Sequence, residues 1–406
     1  MSGFSTMLRL VNDKVYYTEM SSKYNETDMS KLCNIINDAA NSHGTTYTLM
    51  NMDTHLATVT ICNVSGFMFD VLVLSNQSTL SDERIRQIIK DRKPYMKRAN
   101  IDALLKSMGV FDITGYFDVS LGLSLNDTLW LKPEGSTLTW NNVSLYDNDF
   151  NEVVSRFAFS GSGLNGLQLK TTSPELGTNG VLPKCWKRVD NEVYLYKGGT
   201  SGCSNTGNEP YSEYFASQLL NAFKPYAYVE YDLLKYHGQL VSTCGLFTCE
   251  KVGYTPVCAL YSPTYFEDII AIFDNLGLRC EFNDLMVFDA LICNTDRHLN
   301  NYGFMTDNKT FSIVGMAPVF DNGMGLFPFY TLDKDFTSYV SEHDYQNCGI
   351  SNKDVLNMCL EPRHKKQLRS MLDFTFEQHP IYKIPGERLA ILDSYIKSRI
   401  MWMLSL

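Results

Sequence analysis

An apolar run, Leu285, Met286, Phe288, Leu291 and Ile292, leads directly into Asn294-Thr295-Asp296-Arg297-His298-Leu299-Asn300-Asn301. Its spacing predicts a buried helix that delivers a polar loop. A short gap later comes Ala317-Pro318-Val319-Phe320-Asp321-Asn322-Gly323. An aspartate, an amide five residues on, and a second aspartate about a hairpin later form the order that phosphoryl transfer requires. That chemistry asks a protein for positioning and charge neutralisation more than for covalent steps. Asp296 would orient the attacking hydroxyl and take its proton. Asn301 and Asp321 would offer oxygen ligands to Mg2+. Asp296 or Asn301 alone would be read as a turn residue; the three together point to catalysis. Arg297 and His298 read as braces of the loop, with a catalytic His298 the lesser alternative.

The chain has 406 residues, enough for two or three globular units. Its net charge of −10 argues against broad electrostatic binding of nucleic acid, so no direct nucleic-acid contact is expected. No run of about 18 apolar residues occurs, and no membrane span is expected. The first residues lack a basic stretch followed by an apolar one, so no signal peptide is expected. Eleven cysteines without a CxxC pair suit reduced thiols and a cytoplasmic location. Cys244, Cys249 and Cys258 form the nearest cluster, but no second close pair completes a zinc site.

Along the chain, Met50 to Leu74 reads as strands, followed by helices from Ser81 and over about Ile101 to Met108. Residues 110–150 read as loop-rich, with Trp130 and Trp140 in the core. Strands are expected at Val193–Lys197, Tyr226–Tyr231 and Gln239–Glu250, with a helix over about Pro210 to Phe223. Helices at Phe266–Phe273 and Leu285–Ile292 follow, then a strand pair at Phe304–Met305 and Phe311–Val314. From about Lys353 the chain is helical again. This gives three expected parts: 1–160, an N-terminal α/β subdomain; 161–255, a small β-rich lobe; and 256–406, a helical lobe with the catalytic loop. The fold class is α+β, bilobal and protein-kinase-like, with the loop chemistry where strand-rich and helix-rich parts meet.

Lys197 ends an alternating strand just before Gly198-Gly199, upstream of a helix carrying acids. It is read as the lysine that reaches the phosphates of ATP, held by an acid. Glu213 is chosen as that acid over Glu209. Two glycine-rich stretches compete to cradle the phosphates. Gly161-Ser162-Gly163-Leu164-Asn165-Gly166 matches GxGxxG but lies about thirty residues before Lys197. Gly177-Thr178-Asn179-Gly180 lies within one hairpin of it and is preferred. Lys184 is either a further phosphate contact or a surface lysine. Leu246–Val252 would connect the lobes, its backbone meeting an adenine edge or lying as a buried sheet edge.

These motifs, over roughly residues 165–405, resemble the HipA-like serine/threonine kinases. Asp-Arg-His with asparagine five residues after the aspartate is also similar to phosphatidylinositol kinases. The resemblance implies that Asp296 is the catalytic aspartate, Asn301 and Asp321 the magnesium ligands, and Lys197 the phosphate lysine. It implies that Glu250 and Val252 contact adenine, and that ATP and Mg2+ are the cofactors. It further implies a protein substrate, and an antitoxin-like regulatory partner. Several such kinases autophosphorylate a serine in the phosphate loop, ejecting the loop. Thr171, Thr172, Ser173 and Thr178 offer hydroxyls here, and Ser173 is the chosen candidate. Its surroundings, Thr172-Ser173-Pro174-Glu175-Leu176-Gly177, depart from the Ser-x-x-Gly loop of the best-known members. The competing functional readings are a small-molecule or phosphoinositide kinase and an inactive nucleotide-binding module.

Overall fold

Antiparallel sheets come first along the chain and a helical body last, with the polar loop Asn294–Asn301 at their junction. The computed structural model describes residues 8–11, 14–17, 44–162, 172–203, 205–347 and 349–406. Gly163 to Gly166 and Thr171 therefore lie outside the described residues, and with them most of the GxGxxG stretch.

β1 (Leu8–Val11) pairs antiparallel with β2 (Lys14–Tyr17). β3 (Gly44–Asn51), β4 (Thr54–Ser65), β5 (Met68–Asn76) and β6 (Leu129–Pro133) make a sheet of order β5-β4-β3-β6. Its helices are α1 (Asp82–Asp91), α2 (Ile101–Ser107), α3 (Ile113–Ser120), α4 (Trp140–Val143) and α5 (Glu152–Ser160). The Ser81 side chain caps α1 by accepting from Arg84 N, and acids fill its first turn. That leaves Ile85, Ile88 and Ile89 on one face, packed with Val59, Ile61 and Val71 of the sheet. Residues 110–150, expected as loops, thus contain α3, β6 and α4. Trp130 and Trp140 are buried.

β7 (Lys184–Val189), β8 (Glu192–Gly198), β9 (Asp232–Tyr236) and β10 (Gln239–Gly245) form a second sheet, order β7-β8-β10-β9. Between β8 and β9 runs α6 (Glu209–Phe223), with Pro210 in its first turn, where a missing N–H costs nothing. β11 (Val252–Pro256), β12 (Gly303–Asp307) and β13 (Ile313–Met316) form the third sheet. The helical body comprises α7 (Val257–Leu260), α8 (Phe266–Asn275), α9 (Arg279–Ile292), α10 (Phe336–Glu342), α11 (Asn352–Cys359), α12 (Pro362–Ser370) and α13 (Gly386–Ser405). α9 is buried from Phe282 through Ile292 and is the axis of the largest core. It stops at Cys293, whose left-handed backbone (φ 48°) turns the chain into the polar loop.

Three strand expectations shift. Tyr226–Tyr231 is extended but forms one isolated bridge, Tyr228 to Val319; the sheet strand begins at Asp232. The reason is competition for its backbone. Tyr226 N donates to Asp284, Tyr231 N to Ser217 Oγ and Val229 N to Val319 O (2.9 Å), leaving no ladder for a neighbouring strand. The strand at Phe311–Val314 starts only at Ile313, because Phe311 is left-handed (φ 60°) and closes a turn onto Asp307. The strand expected over Gln239–Glu250 ends at Gly245, where the chain leaves the sheet.

The stacked pair Phe273 and Phe282, ring centroids 4.5 Å apart and both fully buried, joins α8 to α9. Phe273→Ala is expected to lower unfolding stability by about 3–5 kcal/mol, read by urea denaturation.

Candidate active site

Each element carries one group to a common cleft. β8 carries Lys197 just before its last residue, flanked in register by Lys184 on β7 and Ser242 on β10. α6 presents Glu213 one turn after its buried start. The loop after α9 carries Asp296 and Asn301, and the segment after β13 carries Asp321.

The structure joins Lys197, Glu213 and Asp321. Lys197 Nζ donates to Glu213 Oε1 at 2.9 Å and to Asp321 Oδ1. Glu213 Oε2 accepts from Asn322 N at 2.7 Å, so one buried carboxylate fixes both the lysine and the backbone following Asp321. Glu209, the competing acid, accepts from Thr200 N and makes no bond to Lys197. Burial alone would lower the Lys197 ammonium, but Asp321 and Glu213 outweigh it and hold it above its ordinary range. For Asp321, burial pushes upward, and Lys197 and then Lys184 overcome it, keeping the carboxylate well below the usual range. Burial raises Glu213, with Lys197 pulling the other way. Asp321 is itself left-handed (φ 57°), a backbone state that aspartate tolerates better than most residues. Its N–H donates to Tyr231 Oη at 3.1 Å.

Arg297 organises the loop. Its Nε and Nη2 bind both oxygens of fully buried Asp289 at 2.8 and 2.9 Å. Nη1 donates to Asn301 O (3.0 Å) and to Phe320 O, and Nη2 also to Asn322 Oδ1 (2.7 Å). His298 Nδ1 accepts from Asn300 N, so both residues act as braces. Asp296 is solvent-exposed, with Oδ1 3.4 Å from Asn347 Nδ2. Partial burial raises its pKa, opposed by His298 and reinforced by Asp321. Asn301 Nδ2 donates to Asp296 O, and among the described residues nothing donates to its amide oxygen.

The preferred glycine turn lies over this cleft. Gly180 (φ 94°) is so close to Lys184 that a Cβ would collide with Nζ, and a Cβ on Gly177 would stand 2.8 Å from Leu123 O. The N–H groups of Asn179 and Gly180 have no partner among the described residues, while Thr178 Oγ1 donates to Pro174 O. Lys184 is buried, its ammonium has no hydrogen-bond partner among the described residues, and it is lowered to about 7, by burial first and Lys197 second. Ser173 is also buried. Its Oγ donates to Glu175, whose carboxylate also accepts from Ser155 Oγ (3.0 Å) and Trp186 N (2.9 Å).

Residues 246–251 link the second sheet to the third, and they are pinned. Trp140 Nε1 donates to Glu250, and Thr248 Oγ1 to Leu125 O. Asn308 Nδ2 reaches Cys249 O and Glu250 O at 3.1 Å each. Val252 N and O are both engaged with Cys249, so its peptide groups are already occupied. The sequence reading overlooked Asp289, Glu175 and Asn322. Asp289 had a signal, the one acid in the otherwise apolar stretch Leu285–Ile292, about one turn before the loop.

An antiparallel lobe with a buried Lys–Glu pair, set against a helical lobe with an Asp–Asn–Asp loop system, is a kinase-like architecture. The fold is that of the HipA kinases. A chain of the Shewanella oneidensis toxin–antitoxin complex of HipA, HipB and operator DNA matches 89% of this chain and 99% of its own, at TM-score 0.51 and 11% identity. In sequence, the chain is similar to the serine/threonine-protein kinase CtkA of Helicobacter pylori, 28% identical over 34% of this chain. The match spans about half, 48%, of that relative's length. The crystal structure of a proinflammatory CtkA from the same organism covers 55% of this chain and 93% of its own, at TM-score 0.42 and 22% identity. No family model matches the chain.

Lys184 generates a pH prediction. A lysine lowered by burial binds fewer protons folded than unfolded, so it opposes folding. The opposition is full below pH 7 and disappears as pH approaches 10.5, where the unfolded group also loses its proton. Lys184→Met is therefore expected to melt above the wild type at pH 7, with the gap shrinking toward pH 10 in parallel thermal scans.

Proposed function

We propose that this protein is an ATP- and Mg2+-dependent protein serine/threonine kinase of HipA-like type. The observation that supports it most is the simultaneous pairing of Lys197 with Glu213 and Asp321, beside the Asp296 and Asn301 loop. Lys197 would be held against the phosphates by Glu213. Lys184, with the Asn179 and Gly180 N–H groups, would meet further phosphate oxygens; their lack of partners suits an anionic ligand. Glu250 and its neighbours would meet the adenine edge.

Asp321 Oδ2 and the Asn301 amide oxygen accept from no described group, which fits hard-cation ligation by one carboxylate, one amide and substrate phosphates. Among the described residues no cluster of three His, Cys, Asp or Glu would hold a metal unaided. Bound Mg2+ would neutralise the phosphate charge. Asp296 would align the substrate hydroxyl and receive its proton as the oxygen attacks the γ-phosphorus and the bond to the β-phosphate oxygen breaks.

Ser173 would become an autophosphorylation target only when released from Glu175, since a phosphate beside that carboxylate is strongly disfavoured. A regulatory antitoxin-like protein is also proposed, supported by the presence of HipB beside HipA in the Shewanella complex. The acidic chain argues that it makes no direct nucleic-acid contact of its own. No described helix is long and apolar enough to cross a membrane. The three-part division at about residues 160 and 255 belongs to the same proposal, with the cytoplasm as its compartment.

Incubation with γ-labelled ATP and Mg2+, followed by phosphosite mapping, tests the reading. Label on serine or threonine is expected from the wild type. Asp296→Asn and Asp321→Asn should each lower transfer by about 10^2-fold or more with unchanged melting cooperativity. Full activity in either variant would sink the site assignment, and label on an added small molecule alone would move it to a small-molecule kinase.

A further inference from the structure

A cavity of about 200 Å³ opens beside the candidate base. It is lined by Thr295 from the catalytic loop, by Phe327 and Phe329 from the segment after Asp321, and by Tyr339, His343 and Tyr345 from α10 and the turn beyond it. Thr295 immediately precedes Asp296, so the cavity begins one residue from the carboxylate. No Asp, Glu, Lys or Arg lines it.

Its walls are built independently of any occupant. Leu326 and Phe327 are both left-handed (φ 56°), and Leu326 N donates to Ile292 O, tying the segment to the end of α9. The buried Arg388 guanidinium holds Phe327 O (2.7 Å) and Tyr330 O (2.8 Å). The Phe327 ring packs edge-on against Phe336, Tyr339 and Tyr395, and Tyr339 stacks on His343 at 4.2 Å. His343 Nδ1 is joined to Tyr339 O at 2.8 Å, which fixes its ring. Tyr345 stands at the rim, 40% exposed, and the same turn carries Asn347, whose Nδ2 reaches toward Asp296 Oδ1 and Thr295 O. The outer wall of the cavity and a group touching the base thus belong to one short segment.

We propose that this cavity seats a large apolar or aromatic side chain directly next to the acceptor serine or threonine of a protein substrate, and so selects substrates. The assignment rests on the kinase reading above. An acceptor hydroxyl at Asp296 leaves its neighbouring residue within reach of Thr295. An uncharged, aromatic, preformed recess discriminates there by apolar contact, which separates large from small side chains by about 10- to 200-fold.

Two peptide sets test this, one varying the residue before a single serine and one the residue after it, each with Phe, Leu, Ala or Asp. The 406-residue protein is expected to show kcat/KM for Phe or Leu at least about 10-fold above Ala or Asp at one of the two positions. Phe329→Ala and Tyr345→Ala should narrow that ratio, and the KM for ATP in each variant separates loss at the cavity from damage to the nucleotide site. A flat profile at both positions overturns the cavity assignment while leaving the kinase reading intact. So does a preference that survives both substitutions. Transfer to no peptide and to no residue of the protein itself overturns the kinase reading, and the cavity assignment with it.

Discussion

The cleft depends on one buried guanidinium. Arg297 lies where three segments meet, and every bond it makes carries a positional consequence. A charge in that setting is costly unless its donors are matched with good geometry. The planar fork of arginine meets the two oxygens of Asp289 in parallel, a match lysine could not reproduce. Its remaining donors go to Asn301 O, Phe320 O and Asn322 Oδ1. The central helix, the loop behind Asp296 and the segment behind Asp321 are thereby set at one spacing. The two oxygen ligands proposed for magnesium hang from backbone that is fixed before any ligand arrives, the form of preorganisation that electrostatic catalysis relies on.

Around that frame the charges are arranged unevenly. Lys197 is shared between two acids, whereas Lys184, its cross-strand neighbour, makes no hydrogen bond to an acid among the described residues. The first is thus held charged, while burial and then Lys197 push the second toward neutrality. Asp321 gains from both cations, so it remains ionised despite its surroundings. A polyanion entering such a cleft would complete the pairing that the protein itself leaves incomplete.

Much of this was legible in the sequence where chemistry restricts residue type and spacing together. The placement of Lys197 beside Glu213 followed from a strand end and a helix turn, and both are local. The α9 helix was visible from its apolar period. Other features depend on contacts that no local pattern encodes. Tyr226–Tyr231 is rich in strand-forming side chains, but its amides are claimed by Asp284, Ser217 and Val319 from other segments of the chain. Lys184 could be surface or site, because a single lysine at a strand start carries no sign of which face it takes. Glu175 looked like part of a loop and is instead the fully buried acceptor that ties down Ser173, Ser155 and Trp186.

The linker between the second and third sheets has a kinematic consequence. Two lobes joined by a bare strand of chain would swing as two bodies about one axis. Here Trp140, Leu125 O, Asn126 O and Asn308 all grip that strand or its continuation, and Asn51 grips Asn308 in turn. Bending at residues 246–251 would drag the N-terminal sheet with it. The linker is thereby braced from the side of the N-terminal sheet as well as from the two sheets it joins.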